Sequence, residues 1–473
     1  MGTQKTQYTL ANTLPFLGDC IWRLGNDQFV AFNPASTVSF DESTGADNGG
    51  VLFTEDFPFV AADDVEIAIT SNAEALKKVS VANGASLLLT QGSFDSLLVE
   101  GEVYVTNIGA VPMQVSNQLD IQNGGVFVVN TSSECEVKNS GVFVDGTGSL
   151  VQLGTGELNV LGTDSPAEIS ISSSFSGSSW GTYTYWSSPI QNQALSIVNY
   201  MSYAYTDRGE GLDDWTPYYE SMEVGRGYAL NQAETGVVFS GLPYNGSLNA
   251  GTPEVGPITG GSESWTLIGN PYPGGLHTAT FLDDLDNSSS IQGAVYIWDQ
   301  DKSAAEWDGF GSSDYTAING TGASWVGDEF ADTTDASNFM IALFQGFFVE
   351  GQGALAANGM FANAMRDPAL VGVYAHSFKS KQDKNKLWLK VEQGGAKSTC
   401  LIGFLEGATK KWDRNFDASP LGGELSVVSL VDEKPAMIQS LPPFSVQYTV
   451  VFQVQLQEKN TSFYLGRGTL TGV

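Results

Sequence analysis

The chain has 473 residues, 42% of them hydrophobic, and carries 21 basic against 53 acidic residues for a formal net charge of -32. That length exceeds what one ordinary core supports and implies roughly two to four packed units. A polyanion of this size repels phosphate backbones and anionic headgroups, which excludes nucleic acid as a partner and leaves divalent cations and solubility in salty surroundings as readings of the acidity.

Charged residues make up only 16% of the chain while glycine is abundant at 54, the profile of a turn-rich, all-β secreted protein. The three cysteines, Cys20, Cys135 and Cys400, are far apart and odd in number, so they supply no disulfide framework and no CxxC metal site. No run of about 18 apolar residues is present, which argues against membrane insertion. The start, Met1-Gly2-Thr3-Gln4-Lys5, lacks the apolar stretch of a secretory signal. If the protein is exported, the expectation is a trimmed chain with Met-Gly added.

Residues 1–72 read as an N-terminal β cap or as first coils, with strands at Phe29–Phe32, Val38–Phe40, Val51–Phe53 and Val65–Ile69. Over 73–162 the chain repeats a short unit of alternating apolar strand and glycine-centred turn: Leu76–Val81 then Asn83-Gly84, Leu97–Val99 then Glu100-Gly101, Leu119–Ile121 then Asn123-Gly124-Gly125. The turns recur every 17 to 23 residues or so, the coil length of a parallel β-solenoid (β-helix). A meander of plain hairpins is the alternative, since Asn-Gly is also a type I′ hairpin signal.

After Gly162 aromatic residues crowd into Trp180-Gly-Thr-Tyr-Thr-Tyr-Trp186 and Pro-rich turns replace the Asn-Gly corners. Strands at Trp265–Ile268, Ala294–Trp298, Phe339–Leu343 and Phe347–Val349, with long loops at 299–335, predict a β-sandwich over 163–375. In Gly269-Asn270-Pro271-Tyr272-Pro273 two prolines force the chain out of the sheet. The basic run Lys379–Lys386 marks the entrance to a smaller C-terminal β-sandwich over 376–473. The fold class expected is thus all-β, a parallel β-solenoid followed by two β-sandwich domains.

Several short signatures occur in fixed order: Tyr185-Trp186-Ser-Ser-Pro-Ile190, Trp265-Thr-Leu-Ile-Gly-Asn-Pro-Tyr-Pro273, Gln345-Gly-Phe-Phe-Val349, Asn363-Ala-Met-Arg366, Lys386-Leu-Trp-Leu389, Gly403-Phe-Leu-Glu-Gly-Ala-Thr409 and Asp413-Arg-Asn-Phe-Asp417. Over about Trp180 to Gly468 this succession resembles the large secreted and cell-surface proteins of Bacteroidota exported by the type IX secretion system. The resemblance implies an extracellular address and a modular β architecture. The signal peptide and C-terminal sorting domain such proteins carry are not visible, so the expectation is a chain trimmed at both ends or one module of something longer.

The sharpest candidate site is Asp413-x-Asn415-x-Asp417-x-Ser419-x-Leu421-x-x-Glu424, whose oxygen ligands fall at calcium-loop positions 1, 3, 5, 7 and 12. Ala418 stands where such a loop wants glycine, and a turn whose Asp and Asn side chains bond their own backbone is the alternative. Two other acidic groups could also hold Ca2+ or simply be solvated loops: Asp299, Asp301, Glu306 and Asp308, and Asp283, Asp284 and Asp286. Trp215, Tyr218, Tyr219, Trp307, Tyr315 and Trp325 lie in loop-like polar segments where planar rings could stack on a glycan or anchor a protein partner, or merely cover sandwich edges. No carboxylate pair is singled out for hydrolysis, and His277 reads as structural. The sequence therefore predicts a surface structural or adhesive module without catalysis, binding a glycan or protein partner or self-associating. The alternatives are a carbohydrate-active enzyme on a β-helix and a subunit of an extracellular filament or sheath.

Overall fold

In the computed structural model, the residues described are 20–24, 28–32, 38–40, 64–69, 76–81, 86–89, 93–106, 113–130, 133–138, 141–145, 148–152, 157–161, 169–172, 182–195, 201–207, 214–231, 237–241, 243–244, 247–249, 265–298, 314–324, 335–352, 359–366, 385–393, 396–421, 426–443, 448–455 and 462–466. The chain is all-β in class: among these residues the helices are two short ones, Thr278–Asp283 and Leu285–Ser290, and a 3-10 turn at Asn363–Arg366. The expected strand at Val51–Phe53 lies outside the described residues.

Among the described residues, every strand pair between Val38 and Ser172 is parallel, whereas a hairpin meander would pair antiparallel. One ladder runs through Val38–Phe40, Asp64–Ile69, Ser86–Leu89, Glu102–Val105, Val126–Val129 and Ser149–Gln152. A second runs through Leu76–Val81, Ser93–Val99 and Met113–Ile121, and the last of these strands is long enough to pair Glu134–Lys138 with its first half and Gly141–Val144 with its second. Partners lie from 16 residues apart (Leu87 and Val103) to 29 (Val38 and Ile67). The register stacks like on like: Val103 on Phe127 on Leu150, Val99 on Ile121 on Val144, and Met113 on Cys135, all buried. Alternation is thus the sequence signature of one buried face. At the turn, Asn123 and Gly124 take positive φ of 52° and 82°, and a Cβ on Gly125 would come 2.1 Å from the Val99 carbonyl oxygen at the end of the neighbouring strand.

Two antiparallel four-stranded sheets follow. The first orders Tyr183–Trp186, Tyr228–Asn231, Met201–Tyr205 and Trp215–Pro217, the second Trp265–Gly269, Gly346–Gly351, Ile291–Trp298 and Tyr315–Ile318. The second sheet is covered on both faces, which is why Ile291–Ile297 is buried without alternation. Ile268, Val295, Ile297, Phe347 and Val349 pack with Tyr272, Leu276, Phe281 and Phe361 on one side. Leu267, Ala294, Tyr296 and Phe348 pack on the other with Tyr185 and with Leu401, Ala418 and Ile438 from the C-terminal strands. The last strands form a four-stranded sheet, Ile438–Leu441, Ala396–Phe404, Lys386–Gln393 and Ser462–Gly466, and a three-stranded one, around Val391, Cys400, Ile402, Phe404 and Val427. Lys386, the last residue of the basic run, opens a strand and is buried.

Candidate functional site

The signatures singled out in the sequence turn out to be joints. Ser149–Gln152 is the last strand of its ladder and leaves an edge to be covered. The Leu150 N–H donates to the Pro273 carbonyl at 2.8 Å, and its own carbonyl accepts from Arg366 Nη2 at 2.6 Å. Arg366 is fully buried, lies 4.6 Å over the Tyr272 ring and donates to Asn363 Oδ1 at 3.1 Å. Burial pulls its guanidinium down to about 10, with Tyr272 opposing. Asn270, also fully buried, donates through Nδ2 to the carbonyls of Gly274 and Ala342 and accepts from the Tyr272 N–H, which holds the proline-rich turn in shape. The other ladder ends on Val238–Gly241, which pairs antiparallel with Ile169–Ser172.

The Asp413–Asp417 segment is a second joint. Asp417 is fully buried and its two carboxylate oxygens accept from the N–H groups of Asp413 and Ser440, both at 2.7 Å. Asp413 accepts from the Thr409 N–H, Asn415 Oδ1 from Arg414 Nη1 at 2.7 Å, and the Ser419 carbonyl from the Tyr296 hydroxyl at 2.9 Å. Arg414 reaches across to the carbonyls of Ile291 and Leu282 at 2.9 and 3.0 Å. A Cβ on Gly293 would lie 2.1 Å from the Arg414 carbonyl oxygen, so glycine there lets the segment seat on the sheet.

Four of the five expected calcium ligands thus face protein donors, while Glu424 lies outside the described residues. Asp284 caps the Leu285–Ser290 helix through the N–H groups of Asp286 and Asn287. The Asp299–Asp308 cluster lies outside the described residues, and among those described no three His, Cys, Asp or Glu side chains group to hold a metal. Because backbone N–H groups already occupy these carboxylates, a thermal melt with and without EDTA is expected to give one midpoint. A lower midpoint with EDTA would mean that an ion holds the loop.

The expected aromatic residues fare differently. Trp307 and Trp325 lie outside the described residues. Trp215 and Tyr315 are not in loops but on strands, in a half-buried aromatic face that joins the two antiparallel sheets. Tyr185 stacks on Trp298 at 5.0 Å between ring centroids and shares a 2.7 Å hydrogen bond with the Tyr315 hydroxyl. Tyr205 meets Phe348 edge-on at 4.8 Å and Trp215 at 5.1 Å. Trp298 Nε1 donates to the Tyr183 carbonyl across the junction at 2.7 Å. Tyr183, Tyr203 and Trp265 extend the same face. Tyr218 packs on Tyr228 with Arg226 over its ring, and Tyr219 is 66% exposed.

Carboxylates border this face. Asp207 accepts from the Trp265 N–H at 2.8 Å, Asp214 from the Tyr205 hydroxyl at 3.5 Å, and Asp314 is buried next to Tyr315. Burial is the largest influence raising the phenols of Tyr185, Tyr205 and Tyr315; Tyr315 and then Asp314 add to it at Tyr185, Asp214 and Asp207 at Tyr205, and Asp314 at Tyr315 against the opposing Tyr185 hydrogen bond, so the phenols remain donors across the physiological range. The carboxylates and Tyr183, Tyr203, Tyr205, Trp265 and Trp298 were missed as site residues. The signal for them was period-two aromatic spacing, as in Tyr183-Thr-Tyr185 and Tyr203-Ala-Tyr205, which puts alternate rings on one sheet face. His277 caps a helix and bonds Thr280 and the Ser337 carbonyl, a structural place.

Fold and site together define an all-β protein whose strands present an aromatic face bordered by acids. The chain belongs to the family described as a domain of unknown function (DUF8693), which matches residues 59–465. No curated protein and no solved structure matches it.

Proposed function

We propose that this chain is a non-catalytic module of a secreted or surface-attached protein, a parallel β-solenoid joined to two β-sandwiches, that binds a neutral, hydroxyl-rich glycan on the aromatic face. The single observation that carries the binding reading is the row of half-buried rings around Trp215, Tyr205, Trp298 and Tyr315, bordered by Asp207 and Asp214. Rings offer flat apolar surface to the C–H faces of sugars, and phenols and carboxylates supply donors and acceptors for hydroxyls. A net charge of -32 works against acidic polysaccharides. The parallel ladders and their stacked apolar columns support the solenoid, and the two-faced central sheet supports the sandwiches. The resemblance of the ordered signatures to type IX exported proteins of Bacteroidota supports the address.

The test is calorimetric titration of a panel of neutral and acidic polysaccharides into the wild type and Trp215→Ala. Expected is binding to a neutral glycan that weakens about ten-fold in the variant, the loss of one stacked ring. Equal affinity of both proteins, or preference for uronate-rich chains, would overturn the assignment. Release of reducing sugar would overturn the non-catalytic part alone.

A further inference from the structure

A buried polar cluster that glycan binding does not use lies where the Tyr315–Ile318 strand turns back over the C-terminal sheet. Asn319 is fully buried, and its Oδ1 accepts from the N–H groups of Thr321 at 2.8 Å and Gly322 at 3.3 Å. Its Nδ2 is buried with no hydrogen-bond partner. Lys386 is 1% exposed, and its Nζ lies 3.1 Å from the place a Cβ on Gly322 would take. One short loop therefore brings a buried lysine amine and a buried carboxamide to the same residue, Gly322.

The surroundings are built rather than accidental. Lys386, Gly403 and Ser440 are in register across three strands, so their Cβ directions share a face. Thr321 sits over Gly403, with Cγ2 at 2.5 Å from where a Cβ would be, and its hydroxyl meets that of Ser440 at 2.5 Å. The Ser440 N–H in turn donates to Asp417. Leu401 and Ala323 keep the site apolar, and Trp388 Nε1 closes it on the Ala323 carbonyl at 3.1 Å. A buried amide donor without an acceptor is costly, and losing that nitrogen removes the cost.

We propose that Lys386 and Asn319 become joined by an intramolecular isopeptide bond, a covalent staple between the central sheet and the C-terminal strands. The lysine Nζ attacks Asn319 Cγ as it gives up its protons; the Nζ–Cγ bond forms and the Cγ–Nδ2 bond breaks. Nδ2 departs with the protons that Nζ gives up. The balance is lysine ammonium plus carboxamide giving a secondary amide plus an ammonium ion, with no oxidant or co-reactant. Asp417 borders the cluster through the Ser440 N–H, and burial raises its carboxyl to about 6.

Intact-mass spectrometry of the full chain, denatured after purification, decides the matter. The expected mass is lower than that of the sequence by one ammonia, and proteolysis yields one branched peptide containing both Asn319 and Lys386. Lys386→Arg is expected at its full sequence mass. Asn319→Asp is expected to lose one water in place of one ammonia, which separates bond formation at this Cγ from ammonia loss elsewhere. Wild type at its full sequence mass, or two separate unbranched peptides, overturns the proposal whether or not the variants fold.

Discussion

Replacing Arg366 by alanine is expected to cost about 3–5 kcal/mol and to fray the parallel ladder from the end it caps. Three losses coincide at this one position. The Leu150 carbonyl loses the guanidinium donor at 2.6 Å, Asn363 Oδ1 loses its partner at 3.1 Å, and the Tyr272 ring loses the cation stacked 4.6 Å above it. A void the size of the side chain opens beside the Tyr272 ring. Arg366→Met separates these terms: it refills much of the volume but supplies no donor, so about 1–3 kcal/mol of the loss should persist. Arg366→Lys should not rescue, because a single ammonium cannot reproduce the planar fork that serves Leu150 and Asn363 while lying on a ring. Denaturant unfolding measures the size of the loss, and hydrogen exchange locates it. Amides of Val126–Val129 and Ser149–Gln152 should exchange faster while those of Lys386–Gln393 change little. Uniform acceleration across the chain would mean that Arg366 supports the whole structure rather than capping the ladder.

This cap explains what was legible in the sequence and what was not. Regular apolar columns such as Val103, Phe127 and Leu150 come from period-two alternation repeated at intervals of 24 and 23 residues, so the strands and their recurrence could be read directly. The Asn123-Gly124-Gly125 turn was equally visible, because positive φ and the close approach of the Val99 carbonyl both demand residues like these. The motifs Asn-Pro-Tyr-Pro and Asn-Ala-Met-Arg stood out by composition, yet nothing local says that Tyr272 and Arg366 meet, since the two are more than ninety residues apart in the chain. Long-range pairing is where pattern reasoning ends.

The candidate site was harder to read for a different reason. Trp215 and Tyr315 sit among polar residues, and a polar context suggests a loop. Both are on outer strands of their sheets, where one side of the chain meets solvent while the ring turns inward to Tyr185 and Phe348. The carboxylate spacing over 413–424 fits a calcium loop by position alone. Direction is what spacing omits, and here Asp417 turns inward to the N–H groups of Asp413 and Ser440 while Arg414 turns outward to the central sheet.

Asp417 also makes the junction pH-dependent. Burial, the largest influence, together with the nearby Asp413 outweighs two backbone N–H donors and Lys434, and raises the carboxyl from its ordinary 3.8 to about 6. An acid that holds its proton more tightly in the folded than in the unfolded chain stabilises the fold below the unfolded value, and that contribution is lost as pH rises through the folded one. Between about 4 and about 6, therefore, rising pH should lower stability through this group, by on the order of 1–3 kcal/mol across the window. Asp417→Asn removes the titration but puts an amide N–H2 against one of two backbone donors, so it should be less stable than wild type by about 1–3 kcal/mol near pH 4.5. The deficit should narrow towards pH 7.5, where wild type has lost its proton. Unfolding free energies of the two proteins at half-unit pH steps give the difference curve. A slope confined to the window between the two values supports the assignment, and an offset constant with pH would show that Asp417 is ionised throughout and acts only as a hydrogen-bond acceptor.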